Sequence, residues 1–180
     1  MAKRRSPEPI SAIEERLLRA SVALGDTLDS VSMPDLAAEA SIAVGTLYRI
    51  APSKTALAEI LDARAKAHFE RRIFAPFPAR LTLEQRFRLM WARLADFAQS
   101  EPDIAAYLAR KPMTADSAFV KASAIFARDG AATGELKTLS GEELAAIVWG
   151  PLSALLRNHT CSVESLQQLE QAAWDGLRRV

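Results

Sequence analysis

Apolar residues recur along this chain at steps of three and four, the spacing that gathers side chains on one face of an α-helix. Ile10, Ile13, Leu17, Ala20 and Leu24 form the first stripe, predicting a helix over about Pro9–Leu24 that Gly25-Asp26-Thr27 closes. Ser32 followed three residues later by Asp35 is a variant capping box, and Pro34 suits a first turn. A second helix is therefore expected over Met33–Ala40, with Met33, Leu36, Ala37 and Ala40 inward. A tight turn at Ser41-Ile42-Ala43 leads to a third short helix, about Val44–Ile50, with Leu47 inward. Pro52 stops it, and Ser53 caps a fourth over Lys54–Arg72 that buries Leu57, Ile60 and Leu61.

After a break at Ala75-Pro76-Phe77-Pro78, helical patterns resume at Leu83–Gln99, Asp103–Ala109, Ala115–Ala132, Gly141–Arg157 and Val163–Arg179. Pro151 inside the penultimate helix should kink it near Gly150. No period-two alternation marks a strand, and no internal repeat is present. The expected fold is all-α with about nine helices: a head at 1–54, a linking helix at 54–72 and a body at 73–180.

Two short helices joined by a tight turn, the second followed by a Pro-Ser-Lys break, make a helix-turn-helix. A seven-residue helix is roughly 10 Å long and fits a DNA major groove ~12 Å wide. With Leu47 packed inward, Val44, Thr46, Tyr48 and Arg49 stay on the other faces. Thr46 can bond a base or phosphate, and Arg49 can fork onto guanine or pair with phosphate. Tyr48 offers a hydroxyl on a stiff arm, and Gly45 lets the backbone approach closely. Ser53 and Lys54 open a helix, where free N–H groups and an ammonium suit one phosphate. Each residue alone also has a purely structural reading: a glycine relieving a helix contact, a rim tyrosine, an ordinary helix opening.

Composition sharpens this picture only partly. The net charge is +1, and through Lys54 seven basic residues face seven acidic ones, so phosphate binding would rest on local placement of charge. The Lys3-Arg4-Arg5 arm is either a minor-groove or phosphate contact or a solubilising tail. It runs into Ser6-Pro7-Glu8-Pro9 and not an apolar stretch, so no signal peptide and no membrane segment is expected, and the cytoplasm is the default location. One cysteine, Cys161, permits no intrachain disulfide. With only His68 and His159 and no paired-Cys, HExxH or glycine-rich phosphate pattern, no enzyme, metal site or cofactor is expected.

At Ala38-Glu39-Ala40, Gly45-Thr46-Leu47-Tyr48-Arg49, Pro52-Ser53-Lys54 and Leu57 the chain resembles the tetracycline-repressor (TetR) family of bacterial regulators. The resemblance spans about Ile10–Leu61 and is weaker in the body, where Trp149–Leu155 is also similar. It departs from the family pattern at Ser41, where glycine is usual, at Ala43 in place of a serine cap, at Val44 in place of a polar residue, and at Ala51 in place of an aromatic.

The resemblance implies a homodimer on double-stranded DNA, most simply a repressor on a palindromic operator, with a small hydrophobic or amphipathic effector held among the body helices. Phe87, Trp91, Phe97, Tyr107, Phe119, Phe126 and Trp149 are then candidate ligand contacts, although aromatics at this spacing are commonly plain core. Arg93, Asp96 and Gln99 are candidate polar partners. The stripes Leu144, Ile147, Val148, Leu152, Leu155 and Leu166, Leu169, Ala173, Leu177, Val180 form either the dimer face of the last two helices or the monomer's own core. The alternative function is a helical small-molecule-binding or protein-interaction module that has lost DNA binding.

Overall fold

The computed structural model describes residues 9–24, 28–158 and 160–179. The Lys3-Arg4-Arg5 arm, the Gly25–Thr27 break, His159 and Val180 lie outside them. Among the described residues nine α-helices occur: α1 Ile10–Leu24, α2 Met33–Glu39, α3 Val44–Ile50, α4 Lys54–Ile73, α5 Leu83–Ser100, α6 Pro102–Ala109, α7 Ala118–Thr133, α8 Gly141–Arg157 and α9 Val163–Leu177. A single 3-10 turn at Leu28–Ser30 precedes α2. No strand forms among the described residues; one isolated antiparallel bridge joins Leu136 to Arg178. The chain divides into two compact units, residues 1–68 and 69–180. α4 opens in the first, and its final turn belongs to the second.

The first unit is built on Leu17, Leu18, Leu36, Leu47, Leu57 and Leu61, all fully buried. Its α1 is tied to α4 by polar contacts as well. Glu15 accepts from His68 Nε2 at 2.5 Å and pairs with Arg19 at 3.1 Å, while Arg64 donates to the Ser11 carbonyl at 2.7 Å. Along α4 the buried positions are Leu57, Leu61, Ala65, Phe69 and Ile73. Each four-residue step advances about 40° around a helix of 3.6 residues per turn, so this row winds around α4 and does not hold one face. Ile60, expected inward, is half-exposed because the row turns away from it.

The second unit is closed by α5 to α9 around aromatic rings. Phe69 meets Phe97, Phe119 and Trp149 edge-on at centroid distances of 5.6, 6.0 and 5.5 Å. Phe87 lies between Trp91 and Trp174 at 6.2 and 5.2 Å. α7 starts at Ala118 and not Ala115, because the Ser117 hydroxyl accepts from the Val120 N–H and fixes the start. α8 and α5 begin with full capping boxes, Ser140/Glu143 and Thr82/Gln85. The two bonds at Ser140 hold the Glu143 carboxyl below its ordinary range. α8 runs unbroken through Pro151.

The expected association stripes turn out to be mostly the monomer's own core. Leu144, Val148, Leu152, Leu166, Ala173 and Leu177 are buried within this unit, and only Ile147, Leu155 and Leu169 keep partial exposure. A β-carbon on Gly141 would stand 2.6 Å from the Ala124 β-carbon and 2.7 Å from the Val120 carbonyl, so glycine there permits the close α7–α8 approach. Phe69→Ala should cost about 3–5 kcal/mol of stability, the range for removing a buried phenyl ring. Chemical denaturation of the full chain measures it; a loss under 1 kcal/mol would deny Phe69 its central place.

Candidate nucleic-acid interface and body cavity

The interface begins with how α2 stops. Ser32 caps its start, accepting from the Asp35 N–H at 3.2 Å and donating to the Asp35 carboxylate. At its end the Ile42 N–H reaches the Ala37 carbonyl and the Ser41 N–H reaches the Ala38 carbonyl, both at 2.9 Å. This six-to-one and five-to-two pair is the Schellman termination, which needs one left-handed residue. Ser41 supplies it at φ 53°. α7 ends with the same pair of bonds, from Glu135 to Gly130 and from Gly134 to Ala131, but there Gly134 takes the left-handed position at φ 76°. Ser41 therefore bears a steric cost that Gly134 does not. The Arg16 guanidinium lies 3.5 Å from the Ser41 carbonyl, across from α1.

α3 starts at Ala43 with no side-chain cap, as its composition implies. Leu47 is its one fully buried residue, at 0% exposure. Around that anchor Val44 (39%) and Tyr48 (47%) are exposed large side chains, Gly45 and Arg49 are exposed, and Thr46 and Ile50 are half-buried. Ala51, where a larger ring was the family expectation, is fully buried, so the site accepts a methyl group only as packed here. The Ser53 hydroxyl accepts from the Ala56 N–H at 3.1 Å and caps α4, with Lys54 half-buried beside it. Val44, Gly45, Tyr48, Arg49 and Ser53 are thus displayed outward.

Gly45 separates the structural reading from the functional one. A β-carbon built there meets no atom within 4 Å. No internal contact requires glycine, although glycine inside a helix costs about 1 kcal/mol relative to alanine.

The second unit contains a cavity of about 250 Å³ lined by the end of α4 and by α5, α7 and α8. Of the seven aromatic candidates, Phe87, Phe119 and Phe126 border it. Trp91, Phe97, Tyr107 and Trp149 do not. Trp91 is buried with its indole N–H on the Leu166 carbonyl at 3.0 Å, which joins α5 to α9. Phe97 and Trp149 are locked around Phe69, and Tyr107 carries the Lys111 ammonium over its ring at 4.7 Å. Trp149 instead borders a separate hollow with Met113 and Gly150.

The polar candidates also lie elsewhere. Arg93 donates to the carbonyls of Ile73, Ala75 and Pro76 and stacks on Phe77, clamping the chain after α4. Asp96 pairs with Arg72 at 3.2 Å, and Gln99 is exposed. Arg86, Ser123 and Asp129 supply the polar lining, with Ile73, Phe74, Phe77 and Met90 among the apolar residues. An aromatic pattern over α5–α8 leaves out Ile73, Phe74 and Phe77, at and just beyond the end of α4, and passes over Arg86, Met90, Ser123 and Asp129 because they are not aromatic. The continuing four-residue row to Phe69 and Ile73 was the available signal.

An all-helical chain with a displayed seven-residue helix behind a Schellman turn is, by geometry, a helix-turn-helix protein. Residues 28–61 match the family described as bacterial regulatory proteins, tetR family. Across almost its full length the chain resembles a TetR-family transcriptional regulator from Haemophilus influenzae Rd, with 20% identity and a TM-score of 0.74 over 96% of this chain and 100% of that one. A protein assigned to the same family from Shewanella sp. PV-4 gives 24% and 0.76 with the same coverage. One from Vibrio parahaemolyticus gives 23% and 0.69, covering 93% of this chain and 100% of that one. No curated protein matches the chain. Residues 28–61 thus match the tetR-family model, and over nearly its whole length the chain has the fold of these solved regulators. No described helix is long and apolar enough to cross a membrane.

The cost at the turn gives a direct test. Ser41→Gly should raise the stability of the chain by about 0.5–1 kcal/mol through relief of the left-handed backbone. Ala43→Ser should add about 1 kcal/mol by capping α3. Thermal denaturation measures both, and no gain from either would mean that the turn is already relaxed.

Proposed function

We propose that the protein is a cytoplasmic, homodimeric regulator that binds a palindromic DNA operator through α3 and leaves it when a small apolar or amphipathic effector fills the body cavity. Repression is the simplest outcome of such binding. The observation that carries the DNA reading is Gly45: an exposed helical glycine that no neighbour needs is explained by an external surface pressed against it. Val44, Thr46, Tyr48 and Arg49 surround it on the same short helix. Arg49 reads a base edge, while Ser53, Lys54 and Tyr48 hold phosphates. The uncapped α3 and the balance of charge favour a weaker alternative, a helical binding module without DNA affinity, and the same assay tests it.

Coupling would run through α4, which starts at Ser53-Lys54 and ends with Ile73 on the cavity wall. An effector displacing Ile73 and Phe74 shifts this helix and with it the spacing of two heads on successive grooves. A two-fold operator needs a two-fold dimer. The face that the monomer leaves uncovered on α8 is made of Ala146, Ile147, Gly150, Pro151 and Leu155, all exposed or half-exposed. We place the dimer contact there, beside the exposed side of α9, with the buried leucines behind it.

Sequences selected from random DNA by the full chain provide the operator for binding assays. Gly45→Ala should raise stability by about 1 kcal/mol yet weaken operator binding. Arg49→Ala should cost roughly 1–3 kcal/mol and relax preference at one position per half-site. Lys54→Ala should weaken all sequences alike and lower the salt slope by about one per affected contact. If all three folded variants bind as the parent does, or if no sequence is enriched, the head does not act on DNA. For assembly, Gly150→Arg places a charge where a new β-carbon meets nothing within 4 Å in the monomer. It should therefore leave the fold intact and give monomers in sedimentation; a persistent dimer refutes the α8 face.

A further inference from the structure

Among the described residues three serines are buried, and one of them differs from the other two. Ser21 donates to the Leu18 carbonyl at 2.7 Å, and Ser153 donates to the Gly150 carbonyl at 2.8 Å. Each satisfies its hydroxyl on the preceding helical turn. Ser123 is 5% exposed and lines the body cavity, and among the described residues it has no hydrogen-bond partner. Its hydroxyl is not fully enclosed but opens on the cavity, so a polar group on whatever fills the cavity is its natural complement.

The charge on the lining is also uneven. Arg86 and Asp129 are its two ionisable residues. Asp129 already accepts from Arg128 at 3.1 Å. Asp129 also lies six residues beyond Ser123 on α7, about 9 Å of helix rise. The Arg86 side chain, exposed to solvent where it lines the cavity, enters none of the ion pairs or hydrogen bonds among the described residues. The remaining walls are phenyl rings and aliphatic side chains: Phe74, Phe87, Phe119, Phe126, Met90 and Leu144.

We infer that the effector is a small monocarboxylic acid with an apolar or aromatic body, its carboxylate paired with Arg86 and a second polar contact made to Ser123. The inference rests on the effector-cavity reading above and gives it a chemical class. A guanidinium presents a planar fork matched to a carboxylate, and the apolar body supplies the area that the rings bury. At about 250 Å³, and with roughly 30 Å³ per water-sized group, the cavity holds on the order of eight to ten such groups. With a neutral ligand the exposed Arg86 guanidinium keeps only its water, and an amine meets it with repulsion.

The test keeps one body and changes the head: 4-phenylbutyrate, 4-phenylbutan-1-ol and 4-phenylbutylamine, titrated calorimetrically into the full chain. The acid should bind about tenfold or more tighter than the alcohol, as a charge-assisted bond to Arg86 requires, with the amine weakest. Arg86→Gln should erase that preference while leaving alcohol binding unchanged. Ser123→Ala should weaken the acid by about threefold to tenfold in a chain of undiminished stability. Ala122→Phe, which grows a ring into the cavity from its own wall, should abolish binding of all three. Equal binding of acid and alcohol, or preference for the amine, overturns the acid class but leaves the cavity standing. Binding that survives Ala122→Phe, or no binding by these probes and by a decanoate and decanol pair, overturns the cavity reading itself.

Discussion

The row Leu57, Leu61, Ala65, Phe69 and Ile73 on α4 is the constraint on which the rest depends. A helix that repeats buried positions every four residues cannot keep them on one line, so the row sweeps about 160° over its length. Its first three members belong to the core of the unit that carries the helix-turn-helix. Its last two belong to the aromatic core and cavity wall of the other. One continuous backbone therefore contributes packing to both units. Any displacement at Ile73 must be taken up along the helix or at its ends.

Stability and display are divided differently in the two units. In the head, α3 is fastened by Leu47 and by the turn that Ser41 closes, and almost every other side chain of that helix faces out. Such a helix has little internal reason to exist as written. Gly45 lacks a packing role and Ala43 lacks a capping one, while Ser41 stands where glycine would be more comfortable. Local rules broken without internal compensation concentrate at surfaces selected for something else. In the body the reverse holds: Trp91, Phe97 and Trp149 are fully used by packing. At the cavity, Ser123 presents a hydroxyl without a protein partner and Arg86 an exposed guanidinium.

Much of this was legible in the residues. α3 and α8 have the bounds that periodicity and capping predict, and Ser32, Ser53, Ser140 and Gly141 mark helix starts because capping is a local property of a few neighbouring groups. Ser41 was marked by standing where the family carries glycine, and the absent cap at Ala43 follows from a side chain with no acceptor. Ser117 displaced the start of α7 by three residues, since two serviceable starts lay close together and only the hydrogen bond to Val120 chose between them.

The chain by itself determined the helices, the turn between α2 and α3 and the identity of the displayed residues, because each depends on contacts within about five positions. Tertiary structure decided which apolar side of α8 and α9 is spent inside the monomer, and which aromatic rings border empty space. It also decided that Arg93 is a clamp for the chain after α4 while Arg86 faces a cavity. These outcomes depend on how helices from distant stretches meet, and periodicity reports only that a face is apolar, never what it will touch. A phenyl ring reads the same in sequence whether a neighbour fills the space beside it or leaves it open.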